Sequence, residues 1–199
     1  MIDLDSEGEL GRFLKTARIA KLLSPRDRDH FGVPEWQFRM WLKIILVKRA
    51  RGLYAPRNVV ITERVLLARR YPRLRLGLTS ALAAHDVISW PAGGDWWVIG
   101  QKAHVPATRP ADAHFVRSSW PRDDCDLAPV DDTYLMAQSP LRALLDCVRF
   151  HKRLGSDVAE DAMRAALAKG IVTPDALLSR AKELHVLAPV RSLLARLHH

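Results

Sequence analysis

"WLKIILVKRARGLYAP", Trp41 to Pro56, runs from an apolar segment through Lys48, Arg49 and Arg51 to a lone Gly52, then Leu53 and Tyr54. A solvated loop accounts for the cations but not for their order. The order fits a strand, a tight cationic turn and a returning strand. Glycine supplies the left-handed backbone that such a turn requires, and an aromatic at position 54 can anchor the returning strand on a core. An ordinary hairpin with a solvated basic tip shares this local pattern, so the choice rests on what precedes it.

Upstream, "PEWQFRMWLKIIL" places Phe38, Leu42 and Ile45 on one helical face with Trp41 beside it, and Glu35, Arg39 and Lys43 on a polar side. Trp36 and Met40 fit either the core or the outer face. Before it, "GVP" reads as a sharp turn, with Gly32 left-handed and Pro34 opening the helix. "PRDRDHF" reads as a short helix capped by Ser24 and started by Pro25. "GELGRFLKTARIAKLL" has apolar residues at helical spacing, with Arg12, Lys15, Arg18 and Lys21 on its other faces. Helix, short helix, glycine turn, helix and cationic hairpin together are a winged helix-turn-helix, expected over residues 1–56.

Charge agrees with that reading. Residues 1–75 hold 17 Lys/Arg against 8 Asp/Glu, and residues 76–199 hold 14 against 14. The whole formal charge of +9 therefore lies in the first part of the chain. A basic module joined to a neutral one is what nucleic-acid binding by the first would produce. A basic surface that serves solubility alone is the competing explanation.

Beyond Pro56 the pattern alternates. "VVITERVLLARRYP" reads as a helix ending at Tyr71-Pro72, "LRLGL" as a strand, and "TSALAAHDVI" as a helix capped by Thr79 or Ser80. "DWWVIGQ", "AHFVRSSW" and "TYLMA" read as strands by their aromatic and β-branched content, and "PRDDCDLAPVDD" as an acidic, proline-bearing loop. From Ser139 the chain reads as helical, with Gly155 and Gly170 as breaks and a second cap-proline opening at Thr173-Pro174. Leu144, Val148, Leu154, Val158, Met163 and Leu167 are the expected core of that stretch. The expected fold class is α+β: an N-terminal winged helix-turn-helix, then residues 57–199 as a mixed α/β domain ending in a helical bundle.

Motifs for chemistry are sparse. "PAGGD" is a turn rather than a phosphate-binding loop. Cys125 and Cys147 have no metal or redox spacing. His85, His104, His114 and His151 are scattered singly. Asp123, Asp124, Asp126, Asp131 and Asp132 would have to gather to hold a divalent ion; a solvated acidic loop is the simpler reading. Ser118 and Ser119 have no base placed near them. Trp90, Trp96, Trp97 and Trp120 suit either a core or a base-stacking face. No apolar run approaches the roughly 18 residues of a membrane span, and "MIDLDSEGEL" lacks the layout of a signal peptide. The expectation is a cytoplasmic, non-enzymatic protein without cofactor, metal or membrane partner.

Two stretches carry a resemblance. "LRLGLTSALAAHDVI", leading through "WWVIGQKAHVPA", resembles the middle of AbiEi-like antitoxins. "SPLRALLDCVRFHKRLGSDVAEDAMRAAL" resembles their C-terminal signature, matched by Pro140, Arg142, Asp146, Arg149, Leu154, Gly155, Asp157, Ala159, Ala162 and Arg164. The acidic pair of that signature is shifted, with Glu160 followed by Asp161. The resemblance implies an antitoxin of a bicistronic toxin–antitoxin operon. Such a protein binds inverted repeats in its own promoter as an autorepressor and counteracts a nucleotidyltransferase-like toxin.

On this reading the helix from Glu35 carries the DNA contacts through Glu35, Gln37, Arg39 and Lys43. Lys48, Arg49 and Arg51 hold the wing on phosphates. Arg149, Lys152, Arg153, Asp157 and Asp161 are candidates for a polar rim toward the toxin, with intrahelical pairing on a solvated face as the plainer alternative. Two other readings fit the residues: a winged-helix-targeted, metal-dependent nucleic-acid enzyme, and a regulator that binds a small ligand among its tryptophans.

Overall fold

The computed structural model describes residues 22–30, 32–91, 95–100, 111–117, 124–131 and 133–197. The helix expected over residues 8–23 lies outside the described residues, apart from Leu22 and Leu23. The molecule is mixed α+β with a helical C-terminal part. It divides into two compact units, one holding residues up to Pro72 together with Val130–Tyr134, the other holding Arg73–Pro129 and the chain from Leu135 onward.

In the first unit, α1 is Pro25–His30 and α2 is Glu35–Ile44. Ser24 and Asp27 cap α1 reciprocally: the Ser24 hydroxyl accepts from the Asp27 amide, and the Asp27 carboxylate accepts from the Ser24 amide at 2.7 Å. Gly32, with φ +66°, turns the chain between the helices. α2 buries Phe38 and Trp41, which pack with Leu23, Ile45 and Leu46. Strand β1 (Leu46–Ala50) then pairs antiparallel with β2 (Leu53–Pro56). The register slips between Lys48 and Ala50, leaving Arg49 in a bulge, and Gly52 at φ +70° closes the turn.

Tyr54 anchors the hairpin. Its backbone exchanges two hydrogen bonds with Leu23, at 2.7 and 2.9 Å. Its ring meets Phe38 edge-on, 6.3 Å between centroids. α3 (Glu63–Arg70) starts at a Thr62 cap, so Val60 precedes the helix and is almost wholly exposed. Arg69 donates to the Asp27 carboxylate at 2.6 Å and so ties α3 to α1.

The second unit is built on a five-stranded sheet of order β5-β4-β3-β7-β6. β3 (Arg75–Leu76) runs antiparallel to β4 (Trp96–Gly100) and parallel to β7 (Thr133–Gln138); β4 runs parallel to β5 (Ala113–Arg117). β6 is Cys125–Val130, so six of the eight described residues of the segment expected as an acidic loop are a strand. Two features of its sequence hid it: acidic residues, and a proline that strands accept only at edges. β6 is an edge, and its buried residues are the alternate Ala128 and Val130.

α4 (Leu78–Ala84) is buried along its whole length. It begins one residue before the expected Thr79 or Ser80 cap. Leu78 adopts φ +53° and donates its amide to the Gln138 side-chain oxygen at 3.0 Å. Ser80 lies inside the helix and its hydroxyl accepts from the Trp97 amide at 2.7 Å.

The helical part centres on α5 (Pro140–Arg149), capped by Ser139 and buried without a break from Arg142 to Val148. Helices α4, α7 (Ser156–Ala168), α8 (Pro174–Glu183) and α9 (Leu187–Leu197) all pack on it. The short α6 (His151–Leu154) ends at Gly155, φ +98°. Leu144, Val148 and Met163 are core as expected. Leu154, Val158 and Leu167 are only half-buried. α7 instead buries Ala159, Ala162 and Ala166 beside Met163, because small side chains on that stripe let its backbone lie close to its neighbours.

Candidate nucleic-acid interface

α2 has two distinct faces. Phe38, Trp41 and Ile45, at helical spacing, fix the inner one. The opposite face is centred on Trp36 and Lys43, with Arg39 beside them and Met40 between. Trp36 is 66% exposed, and Arg39 and Lys43 are exposed. Gln37 lies on one flank and is half-buried; Glu35 lies on the other and is exposed. Glu35 accepts from Arg39 one turn on, at 2.8 Å, and also pairs with Arg28 of α1. The carboxylate nearest the start of the helix is thus neutralised from two sides. Lys43 has no carboxylate partner among the described residues.

The three hairpin cations are not equivalent. Lys48 and Arg51 are exposed, with no carboxylate partner among the described residues. Arg49, in the bulge, folds back and donates to the Val59 carbonyl at 2.9 Å, with the Pro56 and Arg57 carbonyls at 3.4 Å. It braces the segment leaving β2. Sequence reasoning treated the three alike, because a bulge depends on register and leaves no mark on composition.

Asp27 holds the base of this unit. Burial pushes its carboxyl upward in pKa, but the Ser24 hydroxyl and the Arg69 guanidinium outweigh that and keep it below the ordinary value.

In the second unit the signature residues divide into inner and outer groups. Arg142 and Asp146 are each 1% exposed. Arg142 Nε donates to Asp146 at 3.1 Å, and its Nη1 donates to Asp124 at 3.1 Å. Gln138 Nε2 donates to Asp146 at 2.6 Å, while Arg180 reaches Asp124 from α8 at 2.5 Å. Arg180 also pairs with Glu183, so three carboxylates and two guanidiniums form one network, buried at Arg142 and Asp146 and partly exposed at Asp124 and Arg180. Pro140 occupies the first turn of α5, and Ala159 and Ala162 are core.

Of the five rim candidates, Arg149 is exposed and its guanidinium lies 5.3 Å from the centre of the Phe150 ring. Lys152 and Arg153 are exposed on α6. Asp157 is exposed and stands beside Gly155, where a Cβ would lie 2.6 Å from its carboxylate oxygen. Asp161 accepts from Arg164 at 2.6 Å, which is intrahelical pairing.

The described part of the acidic segment does not converge. Asp124 belongs to the network around Arg142, whereas Asp131 accepts from Thr62 at 2.7 Å and lies 3.3 Å from Arg64. Asp123 and Asp132 lie outside the described residues. Among the described residues no three His, Cys, Asp or Glu side chains group to hold a metal ion. Nor is any described helix long and apolar enough to cross a membrane. Trp96 is core, and Trp97 stacks on His114 at 4.7 Å, with His114 3.4 Å from Asp95. Trp120, His104, Ser118 and Ser119 lie outside the described residues. Both cysteines are free thiols, and burial pushes that of Cys147 far up in pKa.

No family model matches the chain, and no curated protein matches it. Among solved structures, the crystal structure of the Rv2827c protein from Mycobacterium tuberculosis aligns over 98% of this chain and 82% of that one. The identity is 18% and the TM-score 0.40, a likeness too loose to carry either fold or function across.

Proposed function

We propose that this protein is a winged-helix autorepressor that also serves as the antitoxin of a bicistronic operon, counteracting a nucleotidyltransferase-like toxin. The observation that carries the DNA half is the outer face of α2: Trp36, Arg39 and Lys43 point away from the core, beside a hairpin that exposes Lys48 and Arg51. This face belongs to the part of the sequence that holds all the net charge. In this reading α2 enters the major groove with its first turns toward base edges, and Arg39 and Lys43 lie near bases or phosphates. Lys48 and Arg51 fix the hairpin on the phosphate backbone, which sets register rather than sequence. Arg49 keeps the hairpin in position from behind.

The antitoxin half rests on the resemblance of the C-terminal signature to AbiEi-like antitoxins. The burial of Arg142 and Asp146 gives part of that signature a scaffold role. It leaves the exposed Arg149, Lys152, Arg153 and Asp157 as the polar rim of a toxin-binding surface, with Asp161 steadying Arg164 at its border.

Two measurements on the full chain test the proposal. Fluorescence anisotropy with the DNA upstream of its own reading frame should show binding that weakens steeply with salt. Co-expression with the neighbouring toxin gene should restore growth, and should still do so when Lys48, Arg51 and Lys43 are all changed to Ala. Salt-independent binding would remove the DNA half. Unrelieved toxicity with a folded wild-type protein would remove the antitoxin half.

A further inference from the structure

Resting on the DNA-binding reading, one residue of α2 stands apart. Trp36 sits in the first turn, 66% exposed, while the helix satisfies its core with Phe38 and Trp41 on the opposite side. An indole in water is unfavourable, since its apolar area is left hydrated, and the described core beneath α2 is filled by Phe38 and Trp41 without it. Its polar neighbours are engaged with each other: Arg39 donates to Glu35, which also pairs with Arg28. The first turn therefore offers an approaching duplex a large apolar surface flanked by cations, not an array of free donors.

The one methyl group on the major-groove edge of the bases is the 5-methyl of thymine; the polar groups there are hydrogen-bond donors or acceptors. The first residues of a groove-bound helix are those that meet base edges. We infer that Trp36 is the specificity-determining residue of this helix and selects thymine by packing its indole on the 5-methyl group. Lys43, two turns along the same face, supplies phosphate attraction that is blind to sequence.

The test uses the full chain and the duplex of its own upstream region, prepared once with thymine and once with uracil replacing thymine throughout. Wild-type protein should bind the thymine duplex more tightly, by roughly fourfold for each methyl group covered. Trp36→Ala should bind both duplexes equally, Trp36→Phe should keep part of the preference, and Lys43→Ala should weaken both by the same factor. Thermal melting of Trp36→Ala should stay close to wild type, because the side chain is largely exposed. Equal binding of the two duplexes by the wild type, or a preference untouched in Trp36→Ala, overturns this inference and leaves DNA binding standing. Failure to bind either duplex overturns both.

Discussion

Arginine serves opposite purposes in the two units. Arg39, in the first, is 72% exposed and paired with Glu35 one turn away on the same helix. Arg142, in the second, also has its acidic partner one turn away, in Asp146, but both side chains are 1% exposed. The spacing is the same and the consequence is not. An exposed i,i+4 pair contributes a few tenths of a kcal/mol and leaves the cation open to exchange its partner for a phosphate. A buried pair cannot exchange, because either charge left alone would lose water without compensation. Spacing therefore says nothing about which arginines are available for binding; burial decides it.

The largest way to break this contrast is Asp146→Ala. It should destabilise the second unit by about 3–5 kcal/mol, since a buried guanidinium and the Gln138 amide lose their shared acceptor. Glu35→Ala, the matching change in the first unit, should cost about 0.5 kcal/mol or less. Urea denaturation of both variants measures the difference, and near-equal losses would dissolve the distinction.

Next comes the helical core. Leu144→Ala should cost about 2–5 kcal/mol at a fully buried site of α5. Leu167→Ala, at a half-buried site of α7, should cost clearly less in the same assay. Equal costs would put Leu167 back in the core that the periodicity suggested.

The hairpin cations give a smaller effect that separates the proposed phosphate contacts from bracing. Lys48→Ala and Arg51→Ala should each flatten the log–log dependence of DNA affinity on salt by roughly one unit. Arg49→Ala should leave the slope nearly unchanged. It should instead lower hairpin stability by about 1 kcal/mol, through loss of its bond to the Val59 carbonyl. A slope change as large as that for Lys48 would place Arg49 on the phosphates.

The smallest expected effect is an acid one. Asp27 has a depressed pKa in the folded state, so its contribution is present above the ordinary carboxylate value near 4 and is lost as pH falls below it. Asp27→Asn should remove that portion of the pH dependence of melting. A variant whose acid profile overlies wild type would show that the Arg69 contact contributes nothing.

Much of this architecture was readable where local chemistry and packing agree. Ser139-Pro140 and Thr173-Pro174 open helices because cap and proline act within one turn. The faces of α2 followed from periodicity, since a single helix side packs on the core. What could not be read depends on partners distant in sequence. Leu78 begins α4 in a left-handed conformation because Gln138, 60 residues on, accepts its amide. Arg49 stays exposed yet folds back onto the Val59 carbonyl, beside the slip in register. Trp36 was ambiguous because composition cannot say whether Phe38 and Trp41 already fill the space beneath α2.

The proline in β6 bears on the company the molecule keeps at high concentration. Strand edges carry rows of unpaired amides that invite further strands, and natural sheets blunt them. Pro129 has no amide hydrogen to offer, and its strand carries Asp126 within it and is followed at once by Asp131. A polymer of these molecules growing edge to edge would meet a missing bond and a repulsive charge at each junction. Replacing Pro129 by valine should leave the monomer folded and raise its tendency to form cross-β aggregates, which thioflavin fluorescence on concentrated samples would detect.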